Sequence, residues 1–140
     1  MKTSRKIIEE NIELMKLLKK LDENVDLILV EGKRDREALR RLGCKSNIIV
    51  IGEIHKPIFE LTREIELRNT ELRIAVLMDF DEEGEKLNKK IEGIFEGCNV
   101  VIEKTLKDKL KKAMLKRNIR RIEELIGLDI EDFNFELNLK

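Results

Sequence analysis

The chain has 140 residues, of which 29 are Lys or Arg and 29 are Asp or Glu, so its formal net charge is zero. That length suits one domain with a sizeable core, and the balanced charge excludes both a globally basic nucleic-acid binder and a disordered tail of single sign. Two cysteines and one histidine exclude a disulfide framework, a four-Cys zinc site and a His-rich metal site.

Residues 4–22 place Ile7, Ile8, Ile12, Met15, Leu18 and Leu21 close to helical spacing, with Ser4 as N-cap. Their interspersed acids rule out a secretory signal, and no apolar run reaches the roughly 18 residues of a membrane span. The expectation is a soluble, cytoplasmic domain with no membrane partner. Leu27 to Val30 is a continuous apolar run, the pattern of a strand buried on both faces, and it stops at Glu31-Gly32. Helical spacing returns from Asp35 to Leu42, ended by Gly43. A second strand is predicted over Ile48–Ile51, closing on Gly52, and a helix over 57–68 with Pro57 in its first turn. Ile74 to Met78 predicts a third strand, ending in Asp79-Phe80-Asp81. Residues 82–96 predict a helix with Leu87, Ile91, Ile94 and Phe95 on one face; Val100–Ile102 is a short fourth strand. From Thr105 the pattern is helical to about Ile126, and the tail DIEDFNFELNLK is ambiguous.

Strands alternating with helices predict a single α/β domain, a Rossmann-like central parallel sheet of about four strands with helices on both faces. The core spans about 24–104, flanked by an N-terminal helix at 4–22 and a basic helical region at 105–127. In such sheets ligands bind beyond the carboxyl ends of the strands. Those ends carry Glu31, Asp79 and Asp81. Crowded carboxylates repel, and a hard divalent cation such as Mg²⁺ relieves the repulsion. Taken alone, the acids read equally well as helix caps and surface residues; Asp81 in particular stands where an N-cap belongs.

Glu31-Gly32-Lys33-Arg34-Asp35 followed by Asp79-Phe80-Asp81-Glu82-Glu83-Gly84 resembles the topoisomerase–primase (Toprim) domain family. That family has Glu-Gly at the end of its first strand and Asp-x-Asp-x-x-Gly after a later one. The chain is most similar to the small archaeal primase-like Toprim proteins, and its Glu-Gly-Lys-x-Asp form to the small Toprim ribonucleases that mature ribosomal RNA. The resemblance implies a Toprim-like fold and Mg²⁺-dependent phosphoryl transfer on RNA or DNA, with Mn²⁺ as a substitute. Glu31, Asp79 and Asp81 would be the catalytic and metal-holding residues, and Gly32, Lys33, Asp35, Gly52 and Gly84 would surround them or meet phosphate. The chain contains no tyrosine, which excludes tyrosyl-linked DNA rejoining for this chain alone.

A stretch of residues 104–121 concentrates Lys and Arg against Asp108 alone. Lys111, Lys112, Lys116, Arg117, Arg120 and Arg121 are therefore candidates for a nucleic-acid surface, the alternative being a solvated face countered by the acidic tail. Phe80 is expected to point into the core, His55 to be an exposed loop residue, and Cys44 and Cys98 to be small buried hydrophobes. Two functions remain in play: a Mg²⁺-dependent nuclease or nucleotidyl transferase, and a non-catalytic module that binds Mg²⁺ and nucleic acid alongside a partner protein. A receiver-like phosphoacceptor fits poorly, because the first strand ends in one acid, and no Gly-x-Gly-x-x-Gly supports dinucleotide binding.

Overall fold

The apolar runs become β1 (Leu27–Val30), β2 (Asn47–Val50), β3 (Leu72–Val76) and β4 (Val100–Ile102), in a computed structural model that describes residues 4–68 and 71–128. They pair in parallel in the order β2-β1-β3-β4. Val30 lies beside Val50 and Leu29 beside Val76, and the Leu77 N–H donates to the Leu29 carbonyl at 2.8 Å. The carboxyl ends of β1 and β3 are thus neighbours.

The helices are α1 (Arg5–Asn24), α2 (Lys33–Arg41), α3 (Ile58–Glu66), α4 (Glu82–Glu96) and α5 (Thr105–Lys116). Alternation along each strand divides the core in two. Ile28, Val30, Ala75 and Leu77 join Leu18 and Leu21 of α1, Leu39 of α2 and Leu110 and Met114 of α5. Leu27, Leu29, Ile74 and Val76 join Leu61 and Ile65 of α3 and Ile91 and Phe95 of α4. Each fully buried side chain of this kind contributes about 1.5–3 kcal/mol. Phe80 is buried on the first of these faces.

The chain runs from β1 through α2 to β2 in one lateral direction, and from β3 through α4 to β4 in the other. Right-handed crossovers of opposite direction put their helices on opposite faces, as α2 and α4 are. The sheet therefore has its topological switch point between β1 and β3, where a crevice opens at the strand ends.

Local capping follows the sequence. The Ser4 hydroxyl accepts from the Ile7 N–H at 3.2 Å, which starts α1. The helix predicted to run to Ile126 instead ends at Lys116. Asn118 takes φ = 57°, a left-handed conformation that Asn tolerates better than most residues. The chain then turns back into a 3₁₀ helix, Ile122–Gly127. Its buried residues Ile122 and Leu125, with Leu128 after it, recur every third position, the repeat of a 3₁₀ helix and close enough to 3.6 to read as α in sequence. Residues 117–128 form a strap that packs against α2. The acidic tail lies outside the described residues. Among the described residues no helix is long and apolar enough to cross a membrane.

Candidate functional site

Glu31 is the first residue beyond β1, and its backbone is pinned from β2. The Gly52 N–H donates to the Glu31 carbonyl at 2.9 Å, and a Cβ at Gly52 would stand 3.0 Å from that oxygen. Asp35, in the first turn of α2, is buried and reaches back to accept from the Gly32 N–H at 3.0 Å. Asp35 therefore organises the turn after Glu31; it makes no pair with Lys33 or Arg36, both of which bond Glu53 on the exposed surface at 3.7 and 3.3 Å. Lys33 is not among the residues that line the cleft of Glu31, Asp79 and Asp81.

The second motif is held from below and from the side. Buried Asn88 of α4 accepts from the Met78 N–H at 3.0 Å and donates to the Asp79 carbonyl at 3.3 Å. The strap supplies the lateral hold: the Phe80 N–H donates to the Arg120 carbonyl at 2.6 Å, and the Ile122 N–H to Asp79 Oδ1 at 2.9 Å. Asp81 is the N-cap of α4, its Oδ1 accepting from the Gly84 N–H at 2.7 Å. Gly84 is required here, since a Cβ would lie 2.0 Å from the Asp79 carbonyl oxygen.

Glu31, Asp79 and Asp81 line one open cleft of about 460 Å³, together with Glu83, Lys86 and Arg121. Burial first, and then the charges of Asp79, Asp81 and Glu83, raise the pKa of Glu31. Burial also raises that of Asp79, with the charges of Asp35 and Asp81 adding to it and the Ile122 N–H and Arg121 opposing. Glu31 thus feels both aspartates across the switch point. Among the described residues, no three Asp, Glu, His or Cys side chains stand close enough as placed to form a metal-ligand group. The donor set nevertheless suits a hard cation in kind. Asp79 and Asp81 each commit Oδ1 to a backbone N–H, which leaves Oδ2, and the exposed Glu31 side chain has three rotatable bonds with which to close the gap.

Sequence reasoning missed Asn88, Lys86, Lys90 and the strap's N–H. Asn88 had a signal: it sits with Gly84, Ile91 and Phe95 on the buried stripe of α4, a polar residue where apolar ones belong. The Ile122 contact had none, being made by backbone. Half of the predicted basic surface meets the protein's own acids. Lys111 bonds Glu85 at 2.6 Å and stands 5.8 Å from the Phe80 ring centre. Lys116 meets Glu13 at 4.0 Å, Arg117 bonds Asn11 at 2.9 Å, and Arg121 lies 3.8 Å from Asp81. Lys112 and Arg120 are exposed. His55 is exposed and Cys44 buried, its thiol pushed up to about 12 by burial. Cys98 is only partly buried, its thiol facing the Ile94 carbonyl at 3.7 Å.

No protein-family model matches the chain. A solved structure of an Aquifex aeolicus protein superposes with a TM-score of 0.62 at 27% identity, over 80% of this chain and 94% of that one. The Thermococcus sibiricus UPF0292 protein is 37% identical over 82% of this chain and 86% of its own length. Thermococcus gammatolerans has one at 36% identity over 81% of each chain, and Methanosarcina barkeri one at 30% over 86% of this chain and 81% of its own. With similarity of this extent, the chain belongs to the UPF0292 protein family.

Proposed function

We propose that this protein carries out Mg²⁺-dependent phosphoryl transfer on nucleic acid, as a nuclease or nucleotidyl transferase, with Glu31, Asp79 and Asp81 as its working residues. The observation that carries the reading is the convergence of acids from two strand ends on one cleft at the switch point. The resemblance of both motifs to the Toprim domain supports it.

Asp79, Asp81 and Glu31 would hold the cation through the oxygens not committed to backbone. A bound Mg²⁺ supplies charge neutralisation at the phosphate and polarisation of the attacking oxygen. The chain's own contribution is orientation. Asn88, the strap and Gly84 fix the aspartate backbone, so Asp79 and Asp81 present Oδ2 from a fixed position, that of Asp81 3.8 Å from the exposed Arg121. Where it does not complete the metal shell, Glu31, its pKa raised by desolvation and then by the charges of Asp79, Asp81 and Glu83, is placed to take or give a proton at the rim. The prior commitment of both Oδ1 atoms favours, as second reading, a module that binds metal and nucleic acid without turnover beside a partner protein.

Two measurements on the wild type, Glu31→Gln and Asp79→Asn test this. Labelled RNA and DNA incubated with Mg²⁺ or Mn²⁺ should be cleaved or extended by the wild type and orders of magnitude more slowly by either variant. The wild-type melting temperature should climb with the logarithm of metal concentration above Kd, and the variants should not respond. A metal shift without turnover selects the second reading. Neither shift nor turnover at millimolar metal rejects both.

A further inference from the structure

A phosphate chain docks on cations that are free to meet it, and α5 has tied Lys107 and Lys111 to the acids of α4. Cations do face the acidic cleft from elsewhere. Lys86 and Lys90 stand one turn apart on α4, and Arg121 projects from the strap, all lining the cleft that holds Glu31, Asp79 and Asp81. Lys86 and Lys90 are exposed. The Lys86–Glu82 pair, at 3.9 Å with side chains 77% and 89% exposed, is of a kind that contributes almost nothing. Arg121 sits 3.8 Å from Asp81 and 4.0 Å from Glu123, with 58% of its side chain exposed. Exposed pairs of such length exchange readily for a phosphate oxygen.

We propose that Lys86, Lys90 and Arg121 form the track that holds the phosphodiester backbone of a nucleic acid across this cleft, an assignment that rests on the phosphoryl-transfer reading. The position of Arg121 is tied to the acids, because its two neighbours in sequence carry the hydrogen bonds to Phe80 and Asp79. A phosphate on Arg121 is therefore in fixed register with the aspartates. Four carboxylates against three cations leave the bare cleft formally at minus one. Phosphate is thus admitted at the cationic rim and not among the acids. The cleft is open and its cations come from two elements, which suits a chain passing over it better than a small enclosed nucleotide. Point-charge contacts of this sort position a backbone without reading its sequence.

The test is a KCl titration of oligonucleotide binding, single-stranded RNA and DNA in parallel, at constant millimolar Ca²⁺. The triple variant Lys86→Gln/Lys90→Gln/Arg121→Gln is compared with Lys109→Gln/Lys112→Gln/Lys116→Gln on α5, which removes the same net charge. The cleft variant should lose about one unit of salt slope per contact, roughly two to three in all, while the α5 variant loses less than about one. A slope unchanged in the cleft variant, or lowered equally by both, overturns the track. No binding by the wild type at low salt overturns it too. The acids are judged separately by the metal-dependent melting of Asp79→Asn, so the track can fail while the metal reading stands.

Discussion

At the scale of single residues, the site depends most on Gly84. The Asp-x-Asp turn folds so closely onto the first turn of α4 that a Cβ would sit 2.0 Å from the Asp79 carbonyl oxygen. Gly84→Ala must push α4 away from the aspartates, and we expect it to cost about 2–3 kcal/mol, as overpacking does. Gly93 on the same helix meets nothing within 4 Å. Gly93→Ala should stabilise by about 0.5–1 kcal/mol through backbone entropy. Urea denaturation of the two variants checks the contrast, and similar effects from both would refute the close approach. The glycine was visible in the sequence as part of a motif; the contact that requires it was not. Asp79 permits a second residue-level prediction. Its Oδ1 accepts from the Ile122 N–H, and Asn keeps that acceptor while Ala deletes it. Amide exchange at Ile122 should quicken in Asp79→Ala and stay slow in Asp79→Asn. Equal exchange in both would mean that the carboxylate does not hold the strap.

Between elements, the ion pairs joining α5 to α4 show what the basic stretch conceals when seen as sequence alone. Seen as sequence, the lysines of α5 face no acids, because the acids that meet Lys107 and Lys111 lie on α4, which covers the other face of the sheet, and are reached only past the edge strand β4. The most buried of these contacts is Lys107–Glu92 at 3.2 Å, with side chains only 7% and 15% exposed. Burial lowers the pKa of Lys107, and the charge of Glu92 opposes the shift. A pair of this kind costs nearly as much to desolvate as it returns, yet removing one partner strands the other. Glu92→Gln is therefore expected to lose about 3 kcal/mol, while Lys107→Met/Glu92→Leu should lie within about 1 kcal/mol of the wild type or above it. Chemical denaturation distinguishes the cases. A double variant as weak as the single one would show that the pair is a net source of stability. The strap was misread for a related reason: its apolar residues at every third position fit an α-helix in sequence, and only Asn118 at positive φ turns it back toward Asp79.

In the whole molecule, the sheet and its layers were legible because each strand contains a short apolar run, fully buried in β1 and partly so in β2, β3 and β4, and because parallel connections obey one handedness. The meeting of Glu31 with Asp79 was legible too, once both were placed at strand ends, since the order β2-β1-β3-β4 makes those ends adjacent. The cations of the cleft were not, because Lys86 and Lys90 look like any solvated helix face until the cleft exists. The same convergence gives the fold an unusual response to pH. Glu31, Asp35 and Asp79 all have their pKa values raised, with burial the largest cause for each. Between the ordinary and the raised value the folded state binds more protons than the unfolded one, so stability falls as pH rises through that window. Above the window the penalty is complete; below the ordinary carboxylate values it is gone. On acidification from neutrality these groups therefore add stability, against the usual trend of paired carboxylates. The double variant Glu31→Gln/Asp79→Asn has no such penalty from two of the three. Its melting temperature in metal-free buffer should exceed that of the wild type at neutral pH, and the gap should close as the pH falls toward about 4. Parallel curves across that range would mean that the acids do not burden the fold, and that a cation has no repulsion there to relieve.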